Sequence, residues 1–304
     1  MAKHHVIGVF DSGVGGLTVV KQILASIPDA RIVYFGDTAR APYGSRSKEE
    51  IIAFSSQIIP FLISQGADII VAACNTSSAN ALPVIKKDFD LPIIGPIESG
   101  ACLAVKMTRN GKIGLLATER TVASEAFHLA VTKVLTKGVR PLAEKSGASG
   151  QSGEKPISLV KSQACPLFVP LIEAGLADSD QARNIVGMYL APLTEAGVDT
   201  IILGCTHYPF LNSAITDLVG EKVVLVDPAV EIVSELRKAF KEIEKAEKEG
   251  SRRQNSREKE DQWKQGQVKY FVSGDPGLFV SVGNTLMDGS IRLRDVRLKD
   301  LAAE

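Results

Sequence analysis

Two cysteines stand where a thiol could do acid–base work. Cys74 ends the apolar run in ADIIVAACNTSS and Cys205 ends that in GVDTIILGCTH, and each is followed by residues with hydroxyl, amide or imidazole groups. A thiol becomes a useful base when its pKa falls below the free value of about 8.5, as happens near helix N-termini and hydrogen-bond donors. Asn75, Thr76, Ser77 and Ser78 lie where a helix would begin after the first thiol, and Thr206 and His207 take the equivalent places after the second. A single buried cysteine is usually a small hydrophobe. It is the pairing that points to chemistry.

The two stretches align without a gap. Gly66 to Thr76 over Gly197 to His207 matches Gly, Asp, Ile and Cys at an offset of 131 residues, and IGVFDS from Ile7 matches IGLLAT from Ile113 at an offset of 106. Any two buried strands look alike, but that does not account for a thiol at both ends. In open α/β sheets ligands bind at the carboxyl ends of strands. Two related halves facing each other would offer one cleft with a cysteine on each wall.

Three chemistries compete for such a pair. Zinc needs three or four protein ligands, often in close pairs, and only Cys205 and His207 are close together in sequence, so a metal is a poor second reading. Cys–His nucleophilic catalysis uses one thiol and leaves its twin without a purpose. Inversion of a stereocentre uses both, because a base removes a proton from one face while an acid delivers one to the other. A duplicated binding protein that does no chemistry would have less need of both thiols.

Other motifs suit the same cleft. FDSGVGGLTVV places Asp11 and Ser12 at the end of the first strand, before glycines and a helix, an anion-friendly geometry. It is neither a Walker loop nor a GxGxxG fingerprint. In RAPYGSRS, Pro42, Tyr43 and Gly44 form a turn after the second strand, where backbone donors could hold a carboxylate, or which could be a plain surface turn.

The elements that position these groups follow from periodicity. Short Ile- and Val-rich runs (VIGVF, RIVYFGD, DIIVAAC, KIGLLAT) alternate with helical patterns, which implies an α/β fold with parallel sheets covered on both faces. AVEIVSELRKAFKEIEKAEKEG reads as a helix with an apolar stripe at Val230, Val233, Leu236, Phe240 and Ile243. Residues 143–156 and 249–267 read as flexible insertions, the second a mixed-charge, solvated linker carrying Trp263. At 304 residues, 45% hydrophobic and with 35 basic against 35 acidic side chains, the chain has room for about two domains and shows no bias toward nucleic acid or an anionic membrane. No apolar run spans a membrane, the start runs almost directly into a strand, and the four cysteines are widely spaced. The expected location is the cytoplasm, with the cysteines as thiols.

Together FDSGVGGLTV, GDTARAPYG, ACNTSSA, CPLFVPLIEAG and LGCTHYPFL, in this order from Gly8 to Leu211, resemble the glutamate racemases of the cofactor-independent aspartate/glutamate racemase group. The resemblance implies two pseudo-symmetric α/β domains, 1–97 with 210–304 and 98–209, and an active site in the cleft between them. It implies interconversion of L- and D-glutamate without pyridoxal phosphate or metal, supplying D-glutamate for peptidoglycan. Cys74 and Cys205 would be the acid/base pair, assisted by Asp11 on one side and by His207 and Glu173 on the other. Ser12, Pro42, Tyr43, Gly44, Asn75, Thr76, Thr118, Thr121 and Thr206 would bind the substrate, with Asp11 and His207. The expected partner is a small molecule, not nucleic acid or membrane; a homodimer is compatible with the resemblance. Cys102 and Cys165, outside the two thiol motifs, are expected in the core.

Overall fold

In the computed structural model, residues 5–142, 156–249, 263–264, 266–287 and 289–301 are described. They fall into two compact units, Met1–Gly95 with Ala229–Glu304, and Pro96–Pro228.

The first unit holds six strands: β1 (Val6–Asp11), β2 (Arg31–Gly36), β3 (Ile69–Ala72), β4 (Ile93–Ile94), β9 (Val268–Val272) and β10 (Val296–Leu298). They lie in the order β10-β9-β2-β1-β3-β4, every pair parallel. The second unit holds β5 (Lys112–Ala117), β6 (Ser158–Ala164), β7 (Thr200–Gly204) and β8 (Val224–Val226) in the order β6-β5-β7-β8, again all parallel. Every residue of β1, β3 and β7 is buried. That is why these runs read as continuous apolar segments and not as alternating ones.

The sequence repeat is a repeat of strand pairing. In the first unit Ile7 pairs with Ile69 and Gly8 with Ile70; in the second Ile113 pairs with Thr200 and Gly114 with Ile201. Those are the same pairs displaced by 106 and 131 residues. The backbone N–H of Asp68 donates to the Val6 carbonyl, and that of Asp199 to the Lys112 carbonyl. Both carboxylates then accept from backbone N–H groups across the strand, Asp68 from Val6 and Asp199 from Arg109 and Asn110. The shared aspartate therefore locks register by tying the start of one central strand to its neighbour.

The helix that precedes each thiol strand is built alike. Ser47 caps Lys48–Ser64 in a reciprocal box with Glu50, and Ser179 caps Asp180–Glu195 by accepting from the Ala182 N–H. Each contains a proline, Pro60 or Pro192, and is followed by a left-handed glycine, Gly66 at φ 96° or Gly197 at φ 69°. An interior proline costs a helix about 3 kcal/mol. Burying Ile51, Ile58, Ile59 and Leu62 contributes about 6–12 kcal/mol at about 1.5–3 kcal/mol each, so packing outweighs the break.

Several expectations change. The second unit runs to Pro228, not 209, because the helix Asn212–Val219 packs on Asp180–Glu195 and β8 pairs with β7. In the helix Pro228–Lys248, Val230 is exposed, while Ile232 joins Val233, Leu236, Phe240 and Ile243 in the core. Of the two insertions, 143–155, 250–262 and 265 lie outside the described residues. Trp263, assigned to the solvated linker, is instead buried in the first unit's core, with the Lys269 ammonium 3.8 Å above its ring. Its charged neighbours in sequence hide an anchor that only the sheet reveals.

Candidate active site

Parallel pairing puts the carboxyl ends of β1, β2 and β3 on one edge of the first sheet, and the expected groups of that unit gather there. Cys74 lies two residues past β3, immediately before the short helix Asn75–Asn80, and is buried. Its Sγ is 3.7 Å from the hydroxyl of Ser12, which follows β1. Asp11, the last residue of β1, accepts from the Gly13 N–H at 3.1 Å. Burial, and then the Asp11 carboxylate, push the Cys74 thiol up to about 11, against hydrogen bonding from Ser77 and Ser12 that favours the thiolate. At neutral pH this sulfur carries its proton.

The glycine turn between Asp11 and the helix Leu17–Ser26 is a packing device. A Cβ on Gly16 would stand 2.6 Å from the Asp11 Cβ and 3.0 Å from the Tyr34 hydroxyl. Tyr34 donates to the Gly13 carbonyl at 2.8 Å, so the turn is tied to β2. Asn75 and Thr76 are buried in the helix after Cys74, and the Asn75 amide oxygen has no hydrogen-bond partner among the described residues. Such an oxygen costs about 1–3 kcal/mol, which a ligand's N–H would recover.

After β2 the turn Tyr43–Ser45 carries Gly44, half-buried, with Pro42 exposed before it. Tyr43 is fully buried and its hydroxyl donates to Asp37. The hydroxyl proton is thus committed to Asp37, and what the turn can offer a ligand is its backbone. Asp37 went unremarked in sequence, although it follows β2 as Ser12 follows β1.

The second unit collects its own set. Thr118, just after β5, holds the same place as Ser12; its hydroxyl donates to the Thr121 hydroxyl at 2.9 Å and accepts from the Thr121 N–H at 3.3 Å. Cys205 follows β7, with its Sγ 3.8 Å from His207 Nδ1. His207 Nε2 is 2.9 Å from a carboxylate oxygen of Glu173, the last residue of the helix Phe168–Glu173. With Nε2 donating to Glu173, Nδ1 of the neutral ring is left as an acceptor facing the thiol. Thr206 is buried between Cys205 and His207 in the chain. The arrangement can take a proton from, or return one to, a sulfur.

The remaining cysteines divide. Cys165 is in the second unit's core, its thiol pushed up by burial and donating to the Gln163 carbonyl. Cys102, expected in the core, is only half-buried on the helix Pro96–Met107. Among the described residues no group of three or more His, Cys, Asp or Glu is placed to hold a metal ion, and no helix is long and apolar enough to cross a membrane.

Two parallel α/β units that share one strand register, each with a thiol just past the carboxyl end of the corresponding strand, define a class. The chain belongs to the Asp/Glu/Hydantoin racemase family, whose model matches residues 8–236, and is a cofactor-independent amino-acid racemase. Its similar named relatives are glutamate racemases: that of Desulforudis audaxviator is 42% identical, over 94% of this chain and 95% of the relative, and that of Geobacter metallireducens 40%, over 98% and 97%. Among solved structures, glutamate racemase RacE1 of Bacillus anthracis superposes with a TM-score of 0.78 at 33% identity, covering 98% of both chains. The Francisella tularensis glutamate racemase, solved in complex with D-glutamate, gives 0.77 at 28% identity, over 99% of this chain and all of that one.

Proposed function

We propose that this enzyme interconverts L- and D-glutamate by proton transfer at the α-carbon between Cys74 and Cys205, and that it supplies D-glutamate for peptidoglycan. The substrate rests on the relatives' names. The two-thiol chemistry rests on one observation: strand pairs of identical register each lead to a cysteine, while the groups around the two cysteines differ.

One sulfur, as thiolate, takes the α-proton: the C–H bond breaks, an S–H bond forms, and the electron pair stays on carbon. The other sulfur, as thiol, gives its proton to the opposite face and is left as thiolate. Nothing is oxidised or reduced. Cys74, protonated at neutral pH in the free enzyme, is the donor in one direction. In the other it must first lose its proton, and a substrate ammonium beside Asp11 would favour that by offsetting the carboxylate that now opposes it. His207, backed by Glu173, exchanges the proton of Cys205. The substrate carboxylates would be held by backbone and hydroxyl donors of Ser12, Gly44, Thr76, Thr118, Thr121 and Thr206, with Asn75 on the ammonium and Pro42 and Tyr43 shaping the turn. All four cysteines are free thiols, which suits a reducing cytoplasm. A homodimer is the assembly to test by light scattering.

In D2O both enantiomers of glutamate should gain deuterium at the α-carbon, and the circular dichroism of L-glutamate should decay to zero. Cys74→Ala and Cys205→Ala should each cost about 10²–10⁴-fold in rate, the usual weight of a positioned acid or base. Unchanged racemisation in either variant overturns the two-thiol account. Decay of L-aspartate with L-glutamate untouched would keep the chemistry and replace the substrate.

A further inference from the structure

We propose that Asp37 is a positioning residue for the Tyr43–Gly44 turn, setting how tightly the enzyme grips its substrate without touching it. The proposal rests on the reading above, in which that turn offers its backbone to a substrate carboxylate.

Asp37 has no exposed surface, and both its oxygens are engaged. Oδ2 accepts from Arg40 Nε at 2.7 Å and from the Tyr43 hydroxyl; Oδ1 accepts from the Ser273 hydroxyl at 2.7 Å. One carboxylate thus joins the end of β2, the turn six residues later and the segment after β9, 236 residues away. The same seam is stitched twice more, by the Ala39 N–H to the Ser273 hydroxyl at 3.0 Å and by the Gly274 N–H to the Thr38 hydroxyl at 3.0 Å.

A buried carboxylate is tolerated only where charge and hydrogen bonds compensate it. Arg40 supplies the charge, its guanidinium lying 4.2 Å from the Phe54 ring centroid and donating to Gln57 at 2.6 Å. The Tyr43 ring packs on Phe54 as well, 5.4 Å between centroids. The turn is therefore held from beneath by one acid that accepts from its tyrosine and pairs with its arginine, while its backbone remains for a ligand. A backbone donor grips a carboxylate alike in ground and transition states, so displacing it weakens uniform binding, which raises KM and leaves kcat.

The test compares steady-state kinetics of Asp37→Asn, Tyr43→Phe, the double variant and the wild type, on L- and D-glutamate. Asp37→Asn keeps the shape and loses the charge and one acceptor; Tyr43→Phe keeps the ring and loses the donor, so at least one fold should survive, checked by near-UV circular dichroism. In each folded variant KM should rise about tenfold in both directions with kcat within about threefold, and the double variant should be no worse than Asp37→Asn alone, because both changes cut one link. A KM unchanged in the folded variants, or a kcat that falls while KM holds, overturns the positioning role while wild-type activity stands. A wild type that does not racemise glutamate overturns the functional reading and this proposal with it.

Discussion

Cys74 carries its proton because it is buried beside a carboxylate, and that has a cost in alkali. Folding raises the thiol from its ordinary value to about 11, so the folded state holds this proton more tightly than the unfolded chain does. The stabilising difference is intact below pH 9 and is lost between pH 9 and 11, as the unfolded thiol ionises first. Urea unfolding at pH 8 and 10.5 should therefore show a fall in stability that is smaller in Cys74→Ser by about 2 kcal/mol. An equal fall in both proteins would mean that the sulfur is not held neutral. The two thiols also differ in company. The repeat offsets put Ala117 opposite Asp11 and Thr76 opposite His207, so each half carries an ionisable group the other lacks. Under the proposed two-thiol mechanism, that inequality suits a substrate whose ammonium and carboxylates make its two faces unlike.

At the scale of elements, the two halves share a constraint that shows in sequence only as a glycine. Gly8 of β1 and Gly114 of β5 lie under the helices Lys48–Ser64 and Asp180–Glu195. A Cβ on Gly8 would meet the Ala67 Cβ at 2.9 Å and the Leu62 Cβ at 3.1 Å, atoms close to the backbone; one on Gly114 would meet the ends of Leu193 at 2.8 Å and Val198 at 3.3 Å. Side-chain ends can yield. Gly8→Ala should therefore cost about 1–3 kcal/mol by overpacking and Gly114→Ala less, read from urea midpoints of the two variants. The reverse order would show that the closeness of helix to strand is not the constraint. The strands, the helices and both thiols were readable because they depend on local periodicity and on an internal repeat. The break of SSANALPVIKKDF into Asn75–Asn80, Leu82–Ile85 and Lys86–Asp88 was less so, since Pro83 lacks the N–H that a continuous helix would use.

The whole chain is two units with unequal connectivity. Pro96–Pro228 is one uninterrupted stretch with a four-stranded sheet and a core of its own, built on Phe168, Leu190, Leu193, Ile201 and Tyr208. Expressed by itself it should fold and unfold in urea as a single cooperative transition, whereas a gradual loss of signal would show that its core needs the rest of the chain. The first unit allows no such cut, for β9 and β10 arrive from the far end of the sequence to pair beside β2. Local chemistry wrote the strands and the capped helices into the sequence, because each depends on residues within a few turns of one another, and the internal repeat, at an offset of 131 residues, set the two thiols in correspondence. Tertiary structure alone decided that Trp263 is core, that the second unit runs to Pro228, and that Tyr43 gives its proton to Asp37. The reason is physical: the first two are set by partners far along the chain, and Asp37, though only six residues from Tyr43, is held as its acceptor together with Ser273, 236 residues away; neither hydrophobic period nor turn chemistry carries information over that distance.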